Sequence, residues 1–392
     1  MTTRDNTGRA GPLSGYRIIE FAGLGPAPFC AMLLSDMGAD VIRIDRAGGN
    51  ALAFPGDPRK DVMNRGRRSI QINLKDPRGV ALALDLMRGA DVVLEGFRPG
   101  IMEKLGVGPD ACHAANPKLV YCRLTGWGQT GPLADRAGHD INYIAVAGAL
   151  GAVQDKTGRP VFPLNYLGDF GAGSMFAAFG IVCALLETQK SGRGQVIDAA
   201  MTDGTAVLGT MFYGLRAMGA WPGDPGSNLL DGGAPFYDVY QCADERWIAV
   251  GPLEPRFFRE FADLVGLDPE LGRAQGDPAR WDTIRDALTA RFLTQTAAEW
   301  NAVFAGTDAC ATEVMDLWEA PDHPHNRSRD TFFTDDHGVV QPAPAPRFSR
   351  TPGKPAGSPP LSGEHSREIL EEAGYTADDV TRMIADNVVA EN

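Results

Sequence analysis

The sequence has no Cys-x-x-Cys pair. Its six cysteines, Cys30, Cys112, Cys122, Cys183, Cys242 and Cys310, stand apart, most of them in apolar runs. That spacing excludes a paired-cysteine zinc site or a thioredoxin-like motif and suits buried free thiols in a reducing compartment. Histidine is scarce, six in 392 residues. His323 and His325 lie two apart with no third ligand in view, so no metal site is expected. His113, His337 and His365 sit in polar contexts that read as exposed. Positive charge is the minority sign: 37 Lys and Arg face 50 Asp and Glu, a formal net charge of −13. Such a chain repels nucleic acid and anionic membrane surfaces, and neither is expected as a partner. Long apolar runs are missing except FGAGSMFAAFGIVCALL, residues 170–186. It is short for a membrane span, is bounded by Asp169 and Glu187, and reads as a buried helix. The opening MTTRDNTGRAGPLSG lacks the apolar centre of a secretory signal, and VVAEN at the other end carries no peroxisomal address. The expected location is the cytoplasm.

What is present is a rhythm. YRIIEFA reads as a buried strand, PFCAMLLSDMG as a helix and DVIRID as a second strand. PRGVALALDLMRGA is a helix, DVVLEGF a strand, and PKLVYCRLTGWG a strand running into a glycine turn. QVIDAAM adds another strand. This alternation predicts an α/β fold with a mainly parallel, doubly wound sheet. Residues 234–250 read as a hairpin turning at Ala243–Glu245, followed by helices over PRFFREFADLVGL and RWDTIRDALTARFLTQTAAEWNAVFAGT. These predict a smaller α+β lobe over residues 231–304. At 392 residues the chain exceeds one compact core, in keeping with two lobes. The proline-dense stretch 341–360 reads as irregular, and SREILEEAGYTADDVTRMI as terminal helix.

The residues suited to chemistry cluster in the first two-thirds. GLGPAP joins strand to helix through glycines, a geometry that can present backbone N–H groups to an anion. Asp45, closing the second strand, stands where an acid takes a ribose hydroxyl in dinucleotide-binding folds. The third glycine of that fingerprint is missing, with Pro28 nearest its place, so the alternatives are a tight turn without ligand or a different phosphate carrier. Arg46, Arg65, Arg67, Arg68, Lys75, Arg98 and Lys104 form a basic cluster in an acidic chain. It could neutralise several phosphates or form a solvated face. His139, in GHDINY, suits an acid/base. Asp169, in LNYLGDFGAGSM, reads either as a helix N-cap, which its position favours, or as a base or nucleophile. Glu254, between a strand and a helix, is a cap or a partner for a histidine. Met175, Met201, Met211 and Met218 read as core, or as an adaptable apolar surface.

Taken in order, GPLSGYRIIEFAGLGPAPFCAMLLSDMGADVIRIDR, EGFRPGIMEKLG, RLTGWGQTGP, AGHDINY, PLNYLGDFGAGSM, GRGQVIDAAMTDGTA, LDGGAPFYDVYQCAD, DAC and GEHSREILEEAGY span nearly the whole chain. Together they resemble the α-methylacyl-CoA racemases of the family III CoA-transferase (CaiB/BaiF) superfamily. The resemblance implies an interlocked homodimer. Its large CoA-binding domain would comprise residues 1–199 and 331–392, with linkers at 200–230 and 305–330 around the small domain. It implies His139 and Asp169 as the two bases, and Glu254 as the glutamate that holds the histidine, acting beside the other chain's His139. CoA-contacting positions carry over to Arg46, Ile72, Asn73, Leu74, Lys75, Arg98, Lys104, Gly138, His139, Asp140, Ile141, Asn142 and Tyr143. Lys104 stands where some relatives have arginine, and Pro252 where relatives often have alanine. The implied activity is interconversion of (2R)- and (2S)-2-methylacyl-CoA thioesters through an enolate. CoA is then part of the substrate, and no metal, flavin or nicotinamide is required. The alternative within the superfamily is CoA transfer between carboxylic acids through an acyl-anhydride on Asp169. Beyond it stand a nicotinamide oxidoreductase and a non-catalytic CoA-binding protein.

Overall fold

The computed structural model describes residues 9–48, 55–155 and 157–392. The polar residues 1–8 of the opening segment lie outside that range. Contacts divide the chain into two compact units, one of residues 1–147, 163–208 and 324–392, the other of residues 148–162 and 209–323.

The first unit is built on β1 (Arg17–Phe21), β2 (Asp40–Arg46), β3 (Arg67–Ile72), β4 (Val92–Glu95), β5 (Val120–Thr125) and β6 (Val196–Ala200). They lie in the order β3-β2-β1-β4-β5-β6, all parallel. Val389–Ala390 adds a short antiparallel edge beside β3. The strands are apolar on both faces because both are covered. Ile19, Ile42, Ile70, Val93 and Tyr121 face the Pro77–Arg88 and Ser366–Glu372 helices. Their neighbours Ile18, Val41, Val92, Val120 and Cys122 face the Pro26–Asp36 and Met175–Ser191 helices. The fold is mixed α/β with a mainly parallel central sheet, as the alternation predicts.

The second unit carries an antiparallel sheet of Asp238–Gln241, Trp247–Val250 and Ala311–Glu313. Its hairpin turns through Glu245, at φ 65°. The Pro255–Val265, Trp281–Phe292 and Ala297–Phe304 helices close an aromatic core of Phe258, Phe261, Phe292 and Trp300.

Three expectations need correction. Arg65, Arg67 and Arg68 are buried, so they form no solvated face and offer phosphates nothing. Arg65 grips Asp36 through two bonds of 3.1 and 2.6 Å. Arg67 meets Glu20 at 3.0 Å, with both side chains fully buried. Arg68 pairs with Asp40, Glu368 and Glu372. A buried guanidinium is tolerable only when paired, and these three are paired inside the fold. Second, residues 170–186 are not a buried helix. Tyr166–Ser174 is a π-helical turn, and the following Met175–Ser191 helix buries Ala177, Ile181, Ala184 and Leu185 but leaves Met175, Phe179 and Leu186 more than half exposed. By length and composition Tyr166–Ser191 could cross a membrane, yet the face carrying Ala177, Ile181, Ala184 and Leu185 is part of the core beside the sheet. Third, Gln341 and Pro342 are not irregular. They end an antiparallel ladder in which Val340–Pro342 pairs with Phe332–Thr334, and Gln341 is held by Arg65 at 2.6 Å.

Removing one partner of the fully buried pair strands the other charge. Arg67→Ala is expected to lower the unfolding free energy by about 3–5 kcal/mol, measured by urea titration. A change under about 1 kcal/mol, the range of exposed pairs, would contradict this account.

Candidate active site

β1 ends at Phe21, and the chain turns into the Pro26–Asp36 helix while β4 lies on the opposite side of β1. In an open parallel sheet, the carboxyl ends of the strands at such a reversal form the usual ligand crevice. A cleft of about 650 Å³ opens there, lined by Arg46, Ile72, Asn73, Leu74 and Lys75. These are five of the positions that the sequence assigns to CoA. Gly23 of the GLGPAP turn lines it too, as do Phe97 and Leu105, to which sequence reading gave no role. Arg98 and Lys104, next in sequence to Phe97 and Leu105, are exposed and do not line it.

The ribose role for Asp45 is overturned. Its carboxylate is buried, pairs with Arg43 at 3.0 Å and accepts the Ser69 hydroxyl at 2.5 Å. The turn is also a poor phosphate cradle, because Pro26 and Pro28 carry no N–H at the start of the helix.

What the turn does meet is Asp169. Gly25 adopts φ +70°, and a Cβ there would lie 3.3 Å from Asp169 Oδ2. Glycine answers both demands. Asp169 is not a helix cap; it lies inside the π-helical turn, whose N-cap is Asn165. π-helical turns recur at functional sites. Asn165 Nδ2 donates to Asp169 Oδ2 at 3.1 Å, an i, i+4 pairing readable in LNYLGD. The Ser174 hydroxyl lies 2.7 Å from the Pro26 carbonyl and 2.9 Å from that of Asp169, closing the turn onto the helix start. Phe29 and Phe170 pack with rings tilted by 34° and centres 4.5 Å apart.

His139 is the exposed N-cap residue of the Asp140–Val146 helix, and its backbone N–H donates to Asn142 Oδ1 at 3.1 Å. The next residue, Asp140, is buried and accepts the backbone N–H of Asp169 at 2.7 Å. Tyr143 is buried, donates its hydroxyl to the Gly138 carbonyl and sits edge-on to Trp127. Ile141 and Asn142 are exposed on the same helix. Burial pushes the Asp169 carboxyl above the usual carboxylate range, and the Asp140 charge adds to the rise; Asn165 and His139 pull the other way. Burial likewise raises the Tyr143 phenol, with Asp169 adding to it. His139, Asp140, Tyr143 and Asp169 therefore share one electrostatic neighbourhood.

Glu95, closing β4, is fully buried. Burial pushes its carboxyl up to about 7, against the pull of the Phe97 N–H at 2.7 Å and of Arg123 at 3.0 Å. Arg123 also grips Glu103, so the segment carrying Arg98 is anchored at both ends. Of the four methionines, Met201 is buried, whereas Met175, Met211 and Met218 are at least half exposed. In the second unit, Glu254 is the exposed N-cap residue of the Pro255–Val265 helix and makes no side-chain cap bond. His113 and His365 are half-buried, not exposed: His113 Nε2 lies 2.9 Å from the Leu119 carbonyl, and His365 Nδ1 accepts the Ser69 N–H at 3.3 Å. Among the described residues, no group of three or more His, Cys, Asp or Glu side chains is placed to hold a metal ion.

Residues 13–366 match the model of CoA-transferase family III. The chain belongs to the family III CoA-transferases. Within that family it is 43% identical to the α-methylacyl-CoA racemase of Mus musculus, over 96% of this chain and 97% of the relative. It is 41% identical to the α-methylacyl-CoA racemase of Homo sapiens, over 97% and 98%. A crystal structure of a CaiB/BaiF family protein from Brucella suis superposes with a TM-score of 0.80 at 25% identity, covering 93% of this chain and 100% of that one.

The Asp169 environment has a thermodynamic consequence. A carboxyl raised on folding makes the native state bind more protons than the unfolded one, so stability falls as pH climbs from the unfolded value, about 3.9, through the raised one. Asp169→Asn removes that loss. The variant's melting temperature is expected to match the parent's near pH 4 and to exceed it at pH 8. An advantage that is equal at both pH values would show that Asp169 is not raised.

Proposed function

We propose that the protein interconverts (2R)- and (2S)-2-methylacyl-CoA thioesters by removing and replacing the α-proton. The observation that carries this reading is the joining of the two candidate bases' segments: Asp140, next to His139, accepts the backbone N–H of Asp169 at 2.7 Å, and burial raises the Asp169 carboxyl in support. The hydrogen α to a thioester carbonyl is weakly acidic, and its removal needs a positioned base. Returning it to the opposite face needs an acid already protonated. A neutral imidazole at His139 and a protonated carboxyl at Asp169 meet both needs. After one turnover each group holds the state in which the other began, and the reverse reaction can start. The enolate oxygen that forms between the two steps gains from any polar group aimed at it.

CoA fits the cleft at the strand ends. Arg46 and Lys75 offer cations to its phosphates, while Ile72, Leu74, Phe97 and Leu105 offer an apolar wall. Arg98 and Lys104 are exposed beside that wall and are assigned to outer phosphate contacts. The segment from Gly138 to Tyr143 is assigned to the thioester end, with His139, Ile141 and Asn142 exposed toward it and Asp140 and Tyr143 buried beneath. Glu254 is assigned as the group that orients His139 from the partner subunit of a homodimer; its freedom from cap duty supports that role. The exposed Met175, Phe179 and Leu186 support an apolar subunit interface. The reaction calls for no metal, flavin or nicotinamide, and the protein is assigned to the cytoplasm.

CoA transfer through an anhydride on Asp169 is the second reading, since the family includes transferases by name. It needs an ionised nucleophile, which burial of Asp169 disfavours. In deuterated water the racemase reading predicts exchange of the C2 proton of a 2-methylacyl-CoA without any acceptor acid. Release of CoA dependent on an acceptor, with no exchange, overturns it. His139→Ala and Asp169→Ala are each expected to slow exchange by about 10²-fold or more while CoA affinity, read by calorimetry, stays within a few-fold. Loss of CoA binding together with exchange would remove these two residues from the chemistry.

Arg46→Ala should do the opposite. It is expected to weaken CoA binding by about 10-fold or more, the worth of a hydrogen bond to a charged group, and to leave the exchange rate at saturation little changed. An unaltered dissociation constant would exclude Arg46 from the CoA site.

A further inference from the structure

The two proposed bases are carried on different segments, and one side chain connects those segments. Asp140 follows His139 directly and begins its helix. Its Oδ2 accepts the backbone N–H of Asp169 at 2.7 Å. The fit allows no slack, because a Cβ at Gly168 would lie 2.5 Å from that same oxygen. The second oxygen, Oδ1, is buried with no hydrogen-bond partner among the described residues.

A buried carboxylate needs a cation or several donors to quiet its charge. Asp140 is 7% exposed, and its one donor is a neutral backbone amide that belongs to Asp169 itself. Its charge therefore acts at close range, through little solvent, on the residue it holds. A negative charge beside a second carboxyl disfavours ionisation of the second. The groups that act on the Asp169 carboxyl are Asp140, which raises it after burial, and Asn165 and His139, which lower it. Tyr143, on the Asp140 helix, feels Asp169 in turn. The other elements packed on the turn meet it through Pro26 of the Pro26–Asp36 helix and through Met201 and Gly204 at the start of the Met201–Leu208 helix.

We infer that Asp140 is a positioning residue for proton transfer: one carboxylate oxygen fixes the Asp169 turn against the His139 helix, and its buried charge beside that turn opposes a second negative charge on Asp169. The inference rests on the racemase reading. It goes beyond it by naming the group that sets the place of Asp169 and favours its proton, without Asp140 touching the reacting atoms.

Asp140→Asn separates the two parts of the role. Its amide oxygen still accepts the Asp169 N–H, while the charge is gone. C2 exchange on a 2-methylacyl-CoA is measured against pH in deuterated water. The reaction needs the proton on Asp169 as the acid, so loss of that proton marks the alkaline limb of the profile. For Asp140→Asn the alkaline limb is expected to move to lower pH by about half a unit or more, with the maximal rate reduced less than about 10-fold. Gly168→Ala, which pushes the carboxylate out of place, is expected to lower the maximal rate more than Asp140→Asn does. An unmoved alkaline limb in a folded Asp140→Asn enzyme overturns the electrostatic role, and a Gly168→Ala enzyme with parental rate overturns the positioning role.

Failure of the racemase reading is told apart by the parent protein, which would then show no exchange at any pH. The Asp140 assignment is still tested in that case by infrared titration of the protonated carboxyl band of Asp169, identified by its loss in Asp169→Asn. A lower midpoint for that band in Asp140→Asn supports the assignment, and an unchanged midpoint sinks it.

Discussion

The guanidinium of Arg67 holds the first unit's catalytic end together. One nitrogen meets Glu20 on β1, and the others reach the carbonyls of Pro28, Met63 and Arg65. A single buried cation thus fixes strand β1, the first turn of the helix that follows it, and the segment leading into β3. Guanidinium suits this work because its planar fork offers five donors in fixed directions and stays charged when buried. Gly25 and Pro26 lie between the points it fixes, and those residues meet the Asp169 turn. The geometry around the candidate carboxyl therefore rests on an ion pair several residues away from it.

The same economy of charge explains why the basic cluster divides. β3 begins with Arg67 and Arg68, and both point into a protein that is acidic overall; each finds carboxylates before it finds solvent. Arg46 closes β2 opposite Ile72, with its side chain exposed at the cleft. Position along the strand, rather than residue type, separates the buried structural cations from the exposed one at the cleft.

Much of this was legible in the sequence. The alternation of apolar strands and helices from Tyr16 to Thr125 specifies the parallel sheet, because strands covered on both faces must be apolar throughout. The motifs around His139 and Asp169 are short and local, and the structure brings their segments together. The rest was hidden for identifiable reasons. The fates of Arg65, Arg67 and Arg68 depend on Asp36, Glu20, Asp40, Glu368 and Glu372, partners up to three hundred residues distant, and no local pattern reveals such pairs. The π-helical turn is invisible because FGAGS has no signature that separates it from an ordinary helix start. The apolar run after it misleads for another reason: it is apolar on both faces, with Ala177, Ile181, Ala184 and Leu185 buried and Met175, Phe179 and Leu186 facing outward. Composition counts both faces alike.

The glycines around Asp169 limit how this site can change. At Gly168 the missing side chain is replaced by the Asp140 carboxylate, and at Gly25 by the carboxylate of Asp169 itself. Walls made of omitted atoms cannot be trimmed further; a methyl added at Gly168 would overlap the Asp140 carboxylate, and one at Gly25 would crowd the Asp169 carboxyl. Room for change is left to residues farther from that carboxyl. A lineage adapting to new acyl groups would rework its periphery while the centre stays frozen.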